Sequence, residues 1–195
     1  ETKSLYNDIV KGLNSYGARW ASIPAFTESG GMVRRQCTGE YKVDVVRKEI
    51  RKLQGLKKYQ KMSSVEMWLG ISLDKIERMK LSNYHRITYR YPLIEEKITR
   101  NDCRLYLESM GFMNVKKSSC VFCPYHSNEQ WKEIKSNYPE EWKKVLKVDN
   151  KIRDLTKKGT KDKLYLHSSR KPIEEAYLQE DQEELFMCEE GYCGI

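Results

Sequence analysis

The sequence predicts an α/β protein whose C-terminal half is largely helical. The clearest strand signal is the apolar segment 65–71, which leads directly into a helix predicted over 73–80. This order is typical of α/β domains, so we expect 65–71 to be the central strand of a sheet. Later apolar residues recur at helical spacing, which predicts helices at 100–110, 128–136 and 139–157.

The N-terminal elements are predicted from periodicity and from turn residues. Apolar residues recur at helical spacing over residues 5–13, which predicts a first helix. Segment 19–26 is predicted to be a short strand that stops near Pro24. Segment 43–53 is predicted to be a basic amphipathic helix that ends at Gly55.

Three signals mark helix boundaries in the second half of the chain. Thr99 is followed three residues later by Asp102, a pairing that predicts a helix N-cap. Gly111 suits the position just beyond the end of that helix, and Pro139 suits the first turn of the last helix.

The composition is that of a water-soluble domain. The length of 195 residues suits one domain, and a hydrophobic content of 39% is enough to fill its core. No apolar run approaches the roughly 20 residues that a membrane helix needs, and the first residues lack the apolar part of a signal peptide. We therefore expect a cytoplasmic protein with no membrane partner.

The net charge leaves two interpretations open. The chain carries 36 Lys and Arg against 28 Asp and Glu, a net charge of +8. Such an excess favours polyanionic partners, either nucleic acid or the phosphates of a nucleotide. Because many of the lysines lie in mixed-charge helices, the same excess is equally consistent with a solvated basic surface.

The motif Cys120-Val-Phe-Cys123 is the strongest chemical signal in the chain. Two cysteines at this spacing on a loop direct two thiolates at one point, which suits tetrahedral zinc or one corner of an iron–sulfur cluster. In a chain without secretion signals, this motif more often holds a metal than a disulfide. The alternative is a pair of ordinary buried thiols.

Other residues are candidates to complete a site around this motif. His126 is close enough in sequence to share the loop. Cys37 is flanked by arginines and precedes a helix, a setting that lowers a thiol pKa and favours the thiolate. Cys188 and Cys193 lie on a glycine-containing tail, where a thiol is either mobile or incidental. Cys103 is predicted to lie in the core.

Several motifs follow one another in an order that resembles one known family. They are Arg35-x-Cys37-Thr38-x-x-x-Lys42, segment 70–78, Pro92-Leu93-Ile94-Glu95, Thr99-Arg100-x-Asp102-Cys103, Ser119-Cys120-x-x-Cys123-Pro124 and Tyr192-Cys193-Gly194-Ile195. Together they are similar to the core and the C-terminal half of phosphoadenosine phosphosulfate (PAPS) and adenylylsulfate reductases, and to the PAPS reductase-like proteins of phages and bacterial mobile elements.

The resemblance implies a Rossmann-like sheet of the PP-loop, or adenine nucleotide α-hydrolase-like, superfamily. Residues 1–115 would be the C-terminal portion of the nucleotide-binding α/β domain, and 116–195 would carry the cysteine motif, a helical extension and the cysteine-containing tail. The superfamily's phosphate loop reads Ser-Gly-Gly-x-Asp-Ser. Segment 29–34 lacks its Asp and its second Ser, so we expect the loop to precede residue 1.

The resemblance also implies a 4Fe–4S cluster, held by a cysteine pair and a distant C-x-x-C motif. Cys37, Cys120 and Cys123 have the family's separation, but Thr38 stands where the pair has its second cysteine. The remaining ligand would be His126 or a tail cysteine, unless one iron stays open. Zinc remains the alternative metal.

The function implied by the resemblance is nucleotide-linked sulfur chemistry, either reduction of an adenylated sulfate or sulfur transfer. Its substrate would be an adenine nucleotide or a phosphosulfate, and a thiol reductant protein would be a partner. Arg35, Lys42 and Arg78 are the candidate contacts to phosphate or sulfate, because their charge suits such anions. Cys193 would be the catalytic nucleophile or persulfide carrier.

Two alternatives involve nucleic acid. One is an enzyme that thiolates a nucleic acid after adenylating it, which the positive charge would assist. The other is a zinc-stabilised nucleic-acid-binding module without catalysis, which would use the same cysteines and the same basic surface.

Overall fold

The computed structural model describes residues 4–113, 115 and 118–178, and these residues form a mixed α/β fold. In chain order, the elements are α1 (Leu5–Lys11), β1 (Phe26–Thr27), a π-helix (Gly39–Val43), α2 (Asp44–Leu53), β2 (Val65–Trp68), a 3-10 helix (Leu73–Arg78), β3 (Ile87–Arg90), α3 (Pro92–Glu95), α4 (Arg100–Ser109), α5 (Asn128–Asn137), α6 (Pro139–Ile152), a second 3-10 helix (Thr156–Lys158) and β4 (Leu164–Tyr165).

The chain divides into two compact units. The first unit contains residues 1–46 together with 119–195, and the second contains residues 47–118. The division expected from the sequence, into residues 1–115 and 116–195, stays a prediction. The sequence contains no local signal that residues 119–195 fold together with residues 1–46.

The core of the first unit is built on the buried face of α6. Val145, Val148 and Ile152 recur at helical spacing and are buried, so α6 presents one apolar stripe to α1 and to α5. Trp131 of α5 is fully buried in the same core. Burial of each such side chain contributes about 1.5–3 kcal/mol, which makes α6 the main support of this unit.

A short antiparallel sheet closes the core of the first unit. Phe26 of β1 lies opposite Tyr165 of β4, which joins two segments that are distant in sequence. The strand predicted over 19–26 is confined to its last residue and Thr27, although residues 20–26 are all buried. Pro24 explains the difference, since it has no N–H to donate to a ladder and interrupts regular pairing.

The second unit corrects the prediction of a central strand at 65–71. Within the part of the chain that the structure describes, β2 ends at Trp68 and pairs in parallel with β3 alone. Val65 and Met67 are half-buried, whereas Glu66 and Trp68 are exposed, so only one face of the strand is covered. A central parallel strand would be covered on both faces.

The helix predicted over 73–80 is a 3-10 helix, Leu73–Arg78, with a kink at Lys75. The carboxylate of Asp74 accepts a hydrogen bond of 2.6 Å from the backbone N–H of Arg100 at the start of α4. This bond ties the 3-10 helix to the first turn of α4. In α4 the predicted cap is confirmed, because Thr99 and Asp102 form a reciprocal capping box.

Two predictions about the helices change in detail. The helix predicted over 139–157 ends at Ile152, and the 3-10 helix Thr156–Lys158 follows it. Cys103 is half-buried in α4, a helix with no fully buried residue, so it does not lie in a core.

None of the helices in the described ranges is long and apolar enough to cross a membrane.

Candidate cysteine site

The Cys120–Cys123 loop precedes α5 and consists of two consecutive turns. The N–H of Cys123 donates to the carbonyl of Cys120 at 2.9 Å, and the N–H of His126 donates to the carbonyl of Cys123 at 3.1 Å. Between the cysteines, Phe122 is buried and its ring lies 6.2 Å from that of Tyr6. The loop is therefore anchored in the core while Cys120 stays exposed and Cys123 is half-buried.

Cys37 begins the helical stretch that continues through the π-helix Gly39–Val43 into α2. Glu40 of the π-helix pairs with Arg19 and accepts a hydrogen bond from the side chain of Asn14. Tyr41 donates from its hydroxyl to Asp8 at 2.7 Å. These contacts fix the π-helix against α1 and the segment after it. Such single π-helical turns occur frequently at functional sites.

Cys120 lies near enough to Cys37 to influence its ionisation, although the two residues are far apart in sequence. Burial raises the pKa of the Cys37 thiol, and the neighbouring Cys120 raises it further. Arg35 and Lys42 act in the opposite direction, as does a hydrogen bond from the backbone of Thr38. The expectation of a lowered thiol pKa is therefore wrong, because loss of hydration outweighs the nearby cations.

His126 orients the loop in this structure. Its Nε2 lies 2.9 Å from the carbonyl oxygen of Cys120, to which only a protonated ring nitrogen can donate. Its Nδ1 lies 3.3 Å from Oε1 of Gln130, and the ring packs edge-on against Trp131. To bind a metal through Nε2, His126 would have to release the Cys120 carbonyl.

The donor set of the site suits a soft metal or a cluster. Cys37 lies within electrostatic range of Cys120, and one tight turn joins Cys120 to Cys123, so three thiols lie in this region. Thiolates are the ligands that zinc and iron–sulfur clusters prefer. In the residues that the structure describes, no three His, Cys, Asp or Glu side chains are already arranged as a metal site. The ligands would therefore have to close around the metal.

The remaining predicted site residues fall into three groups. Arg35 and Lys42 belong to the cysteine site, since both act on the charge of Cys37. Arg78 ends the first 3-10 helix and belongs to the second unit. Cys188 and Cys193 lie outside the described residues, so their predicted roles stay predictions.

A cavity of about 310 Å³ opens beside the segment that carries Cys37. One wall is held together by Ser22, whose hydroxyl donates to the Arg34 carbonyl at 3.0 Å and whose own carbonyl accepts from the N–H of Gln36. The cavity is lined by Arg19, Trp20, Ser22, Thr27, Val33, Arg34, Gln36, Gly159, Thr160, Lys161, Asp162 and Leu164.

Two buried polar atoms in this lining have no hydrogen-bond partner among the described residues. They are Oε1 of Gln36 and Oγ1 of Thr160. An unsatisfied buried polar atom costs about 1–3 kcal/mol, so a bound polar ligand or water would stabilise both. The lining also carries the exposed cations Arg34 and Lys161, and the indole of Trp20. This combination suits an anionic ligand of metabolite size.

The cavity was not predicted from the sequence. Its walls come from residues 19–36 and from residues 159–164, which are joined by the pairing of β1 with β4. Neither segment contains a recognisable ligand-binding motif. The nearest available signal is the position of Gln36 beside Cys37, in a stretch that also supplies Arg34 and Arg35.

Comparisons with known proteins assign neither a family nor a fold to the chain: no family model, curated protein or solved structure matches it.

Proposed function

We propose that this chain carries out nucleotide-linked sulfur chemistry, with Cys37, Cys120 and Cys123 holding an iron–sulfur cluster or zinc. The observation that carries the proposal is the proximity of Cys37 to Cys120, Arg35 and Lys42, all of which influence its ionisation. A thiol pair flanked by cations joins soft metal ligands to groups that attract phosphate or sulfate. A cytoplasmic setting, which keeps thiols reduced, suits this chemistry.

The raised pKa of Cys37 argues against a role as a free nucleophile. A buried thiol next to a second thiol resists ionisation, since its thiolate would be poorly hydrated and would repel its neighbour. A bound metal ion supplies the missing positive charge and displaces the proton. The pair is therefore better suited to coordination than to acting as a free nucleophile.

The cavity supports the substrate half of the proposal. Its exposed cations Arg34 and Lys161 suit a phosphate or sulfate group, and its buried atoms on Gln36 and Thr160 offer hydrogen bonds to the rest of a ligand. Gln36 precedes Cys37 directly, so ligand binding and the cysteine site share one backbone segment.

The chemical step rests on residues with separate roles. In the version with an adenylated sulfate, the Cys193 thiolate attacks the sulfate sulfur and the nucleotide phosphate leaves. Two electrons from a thiol reductant protein then release sulfite from Cys193. Arg35 and Lys42 would neutralise the anionic substrate. Sulfur transfer to another acceptor remains the second version.

The test is the metal content of cysteine variants. The full chain is purified without oxygen, and iron, acid-labile sulfide and zinc are measured per chain. We expect Cys37→Ser, Cys120→Ser and Cys123→Ser each to lower the bound metal at least severalfold, because each removes a thiolate ligand. Cys103→Ser is the matched control, since Cys103 belongs to the second unit.

Two results test the metal site and the nucleotide-linked chemistry separately. Equal metal content in all four variants would contradict the metal site. Binding of adenosine 5′-monophosphate, followed by calorimetry in wild type and in Arg34→Ala, tests the nucleotide half by itself. If the chain binds metal through these cysteines but binds no nucleotide, the metal site stands and the nucleotide-linked chemistry does not.

A further inference from the structure

The positive charge of the chain is concentrated in its second unit. Residues 47–118 contain 17 Lys and Arg against 8 Asp and Glu, a net charge of +9. The remainder of the chain contains 19 against 20, a net charge of −1. The overall charge of +8 is therefore a property of one unit, which the composition of the whole chain conceals.

The densest group of cations surrounds residues 54–63, here called the basic loop. The guanidinium of Arg51 donates to the carbonyls of Lys57 and Gln60, at 2.9 and 3.1 Å. The side chain of Gln54 bonds to both the N–H and the carbonyl of Ser63, which closes the loop at its base. The backbone of the loop is thus held on the end of α2.

This anchoring leaves the lysine side chains of the basic loop in solvent. Lys57, Lys58 and Lys61 are all exposed, and so is Lys52 on the last turn of α2. Glu49 is the single acidic residue between 47 and 61. The loop therefore presents several cations at short spacing, with little opposing charge.

Tyr59 stands at the tip of the basic loop. Its side chain is 88% exposed, so its ring contributes almost nothing to packing. Its φ of 69° places the backbone in the left-handed region, which bulky residues rarely adopt. The Nζ of Lys58 lies 5.0 Å from the ring centroid, which orients the ring within a cationic environment. Such a residue presents an open aromatic face.

We propose that the basic loop binds single-stranded nucleic acid, with Tyr59 stacking on a base and Lys57, Lys58 and Lys61 contacting phosphates. Proteins that bind single strands combine a cationic surface with aromatic rings on which bases stack. A duplex hides its base faces, so an exposed ring among lysines suits a single strand better. This inference does not depend on the cysteine site.

The test measures binding of the full chain to a fluorescein-labelled single-stranded oligonucleotide of about 16 nucleotides, by fluorescence anisotropy across a salt series. Lys57→Ala/Lys58→Ala/Lys61→Ala should weaken binding at least about tenfold at low salt. It should also reduce the slope of log affinity against log salt by about 2, because three phosphate contacts are lost. The control Lys132→Ala/Lys147→Ala/Lys151→Ala removes the same charge from exposed positions of the first unit and should change affinity less than about twofold.

Substitutions of Tyr59 separate stacking from charge. Tyr59→Ala should weaken binding about fivefold to a hundredfold and leave the salt slope unchanged, whereas Tyr59→Phe should bind like wild type. Circular dichroism of each variant confirms that it is folded.

Three outcomes would overturn the inference. One is no binding of wild type to the oligonucleotide at low salt. Another is an equal loss in the control triple variant, which would show that net charge alone attracts the strand. The third is a preference for the duplex form of the same sequence, or for vesicles of anionic lipid, over the single strand.

Discussion

Asp149 shows how one buried charge organises the first unit. Its carboxylate accepts hydrogen bonds of 3.1 Å from the N–H groups of Leu166 and Ile173, and it pairs with Arg153. It therefore ties α6 to the segment beyond β4. Burial nevertheless raises the pKa of Asp149, because loss of hydration outweighs the stabilising effects of Arg153 and the two N–H groups.

Removal of the Asp149 carboxylate should be strongly destabilising. We expect Asp149→Ala to lower the free energy of unfolding by about 3–5 kcal/mol, since it leaves the charge of Arg153 and two buried N–H groups without their partner. Urea denaturation followed by circular dichroism measures the change. Asp154→Ala is the control, because Asp154 is exposed and its carboxylate accepts hydrogen bonds from Thr156 on the surface. An equal loss in both variants would show that Asp149 has no special role.

The raised pKa of Asp149 also predicts the sign of a pH effect. An acid whose pKa is higher in the folded state binds more protons there, so stability falls as pH rises from the unfolded pKa of about 4 to the folded one. Asp149→Asn does not titrate. The stability of wild type relative to Asp149→Asn should therefore decrease as pH rises above about 4, as measured by urea denaturation. An increase would show that the folded pKa is lowered.

At the scale of elements, the helix that follows the cysteine loop begins with a capping box. The side chain of Ser127 accepts from the N–H of Gln130, and that of Gln130 accepts from the N–H of Ser127. Oε1 of Gln130 also lies 3.3 Å from Nδ1 of His126, the residue whose Nε2 contacts the Cys120 carbonyl. The start of α5 and the cysteine loop are thus linked through the contacts of Gln130 and His126.

Loss of this cap should weaken both the helix and the site. We expect Ser127→Ala to lower the free energy of unfolding by about 1 kcal/mol and to lower the affinity for zinc, because the His126 ring loses its support. Ser136→Ala, on the exposed side of the same helix, is the control and should be neutral or slightly stabilising. If Ser127→Ala is destabilised but binds zinc as tightly as wild type, the helix cap does not contribute to zinc binding.

Helices were easier to predict than strands because their signals are local. Thr99 and Asp102 specify the start of α4 by themselves, and the periodicity of Val145, Val148 and Ile152 specifies a face of α6. A strand needs a partner that periodicity does not identify. The apolar segment 65–71 therefore indicated a strand correctly but could not show that it pairs with β3 alone in the described chain.

The same contrast applies to the candidate site. The cysteine motif and its association with Cys37 were predicted from residue types and from the family resemblance. The sign of the Cys37 pKa shift was not, because burial depends on packing that the sequence alone does not give. The cavity was missed for a similar reason, since Gln36 and Thr160 meet only through the pairing of β1 with β4.

At the scale of the whole molecule, the cavity makes the first unit less stable than it could be. It lies where two segments that are distant in sequence meet. The first unit could have filled this space with apolar side chains, yet it leaves Gln36 Oε1 and Thr160 Oγ1 buried without a partner among the described residues. Native proteins keep few such atoms. A binding function explains their retention, because a ligand that bonds to them recovers the cost of burying them.

Thr160→Val tests this explanation, because it replaces the unpartnered hydroxyl with a methyl group of similar shape. We expect the variant without ligand to be more stable than wild type by about 1 kcal/mol, and its further stabilisation by adenosine 5′-monophosphate to be smaller. Thr156→Val on the same turn is the control. Its hydroxyl donates to Asp154 at 2.7 Å, so its loss should destabilise the protein and leave the effect of the nucleotide unchanged. Thermal unfolding with and without the nucleotide measures the stability of each variant and its stabilisation by the nucleotide. Destabilisation by Thr160→Val without ligand would mean that water already satisfies the hydroxyl, and the cavity would then be a hydrated part of the fold rather than a binding site.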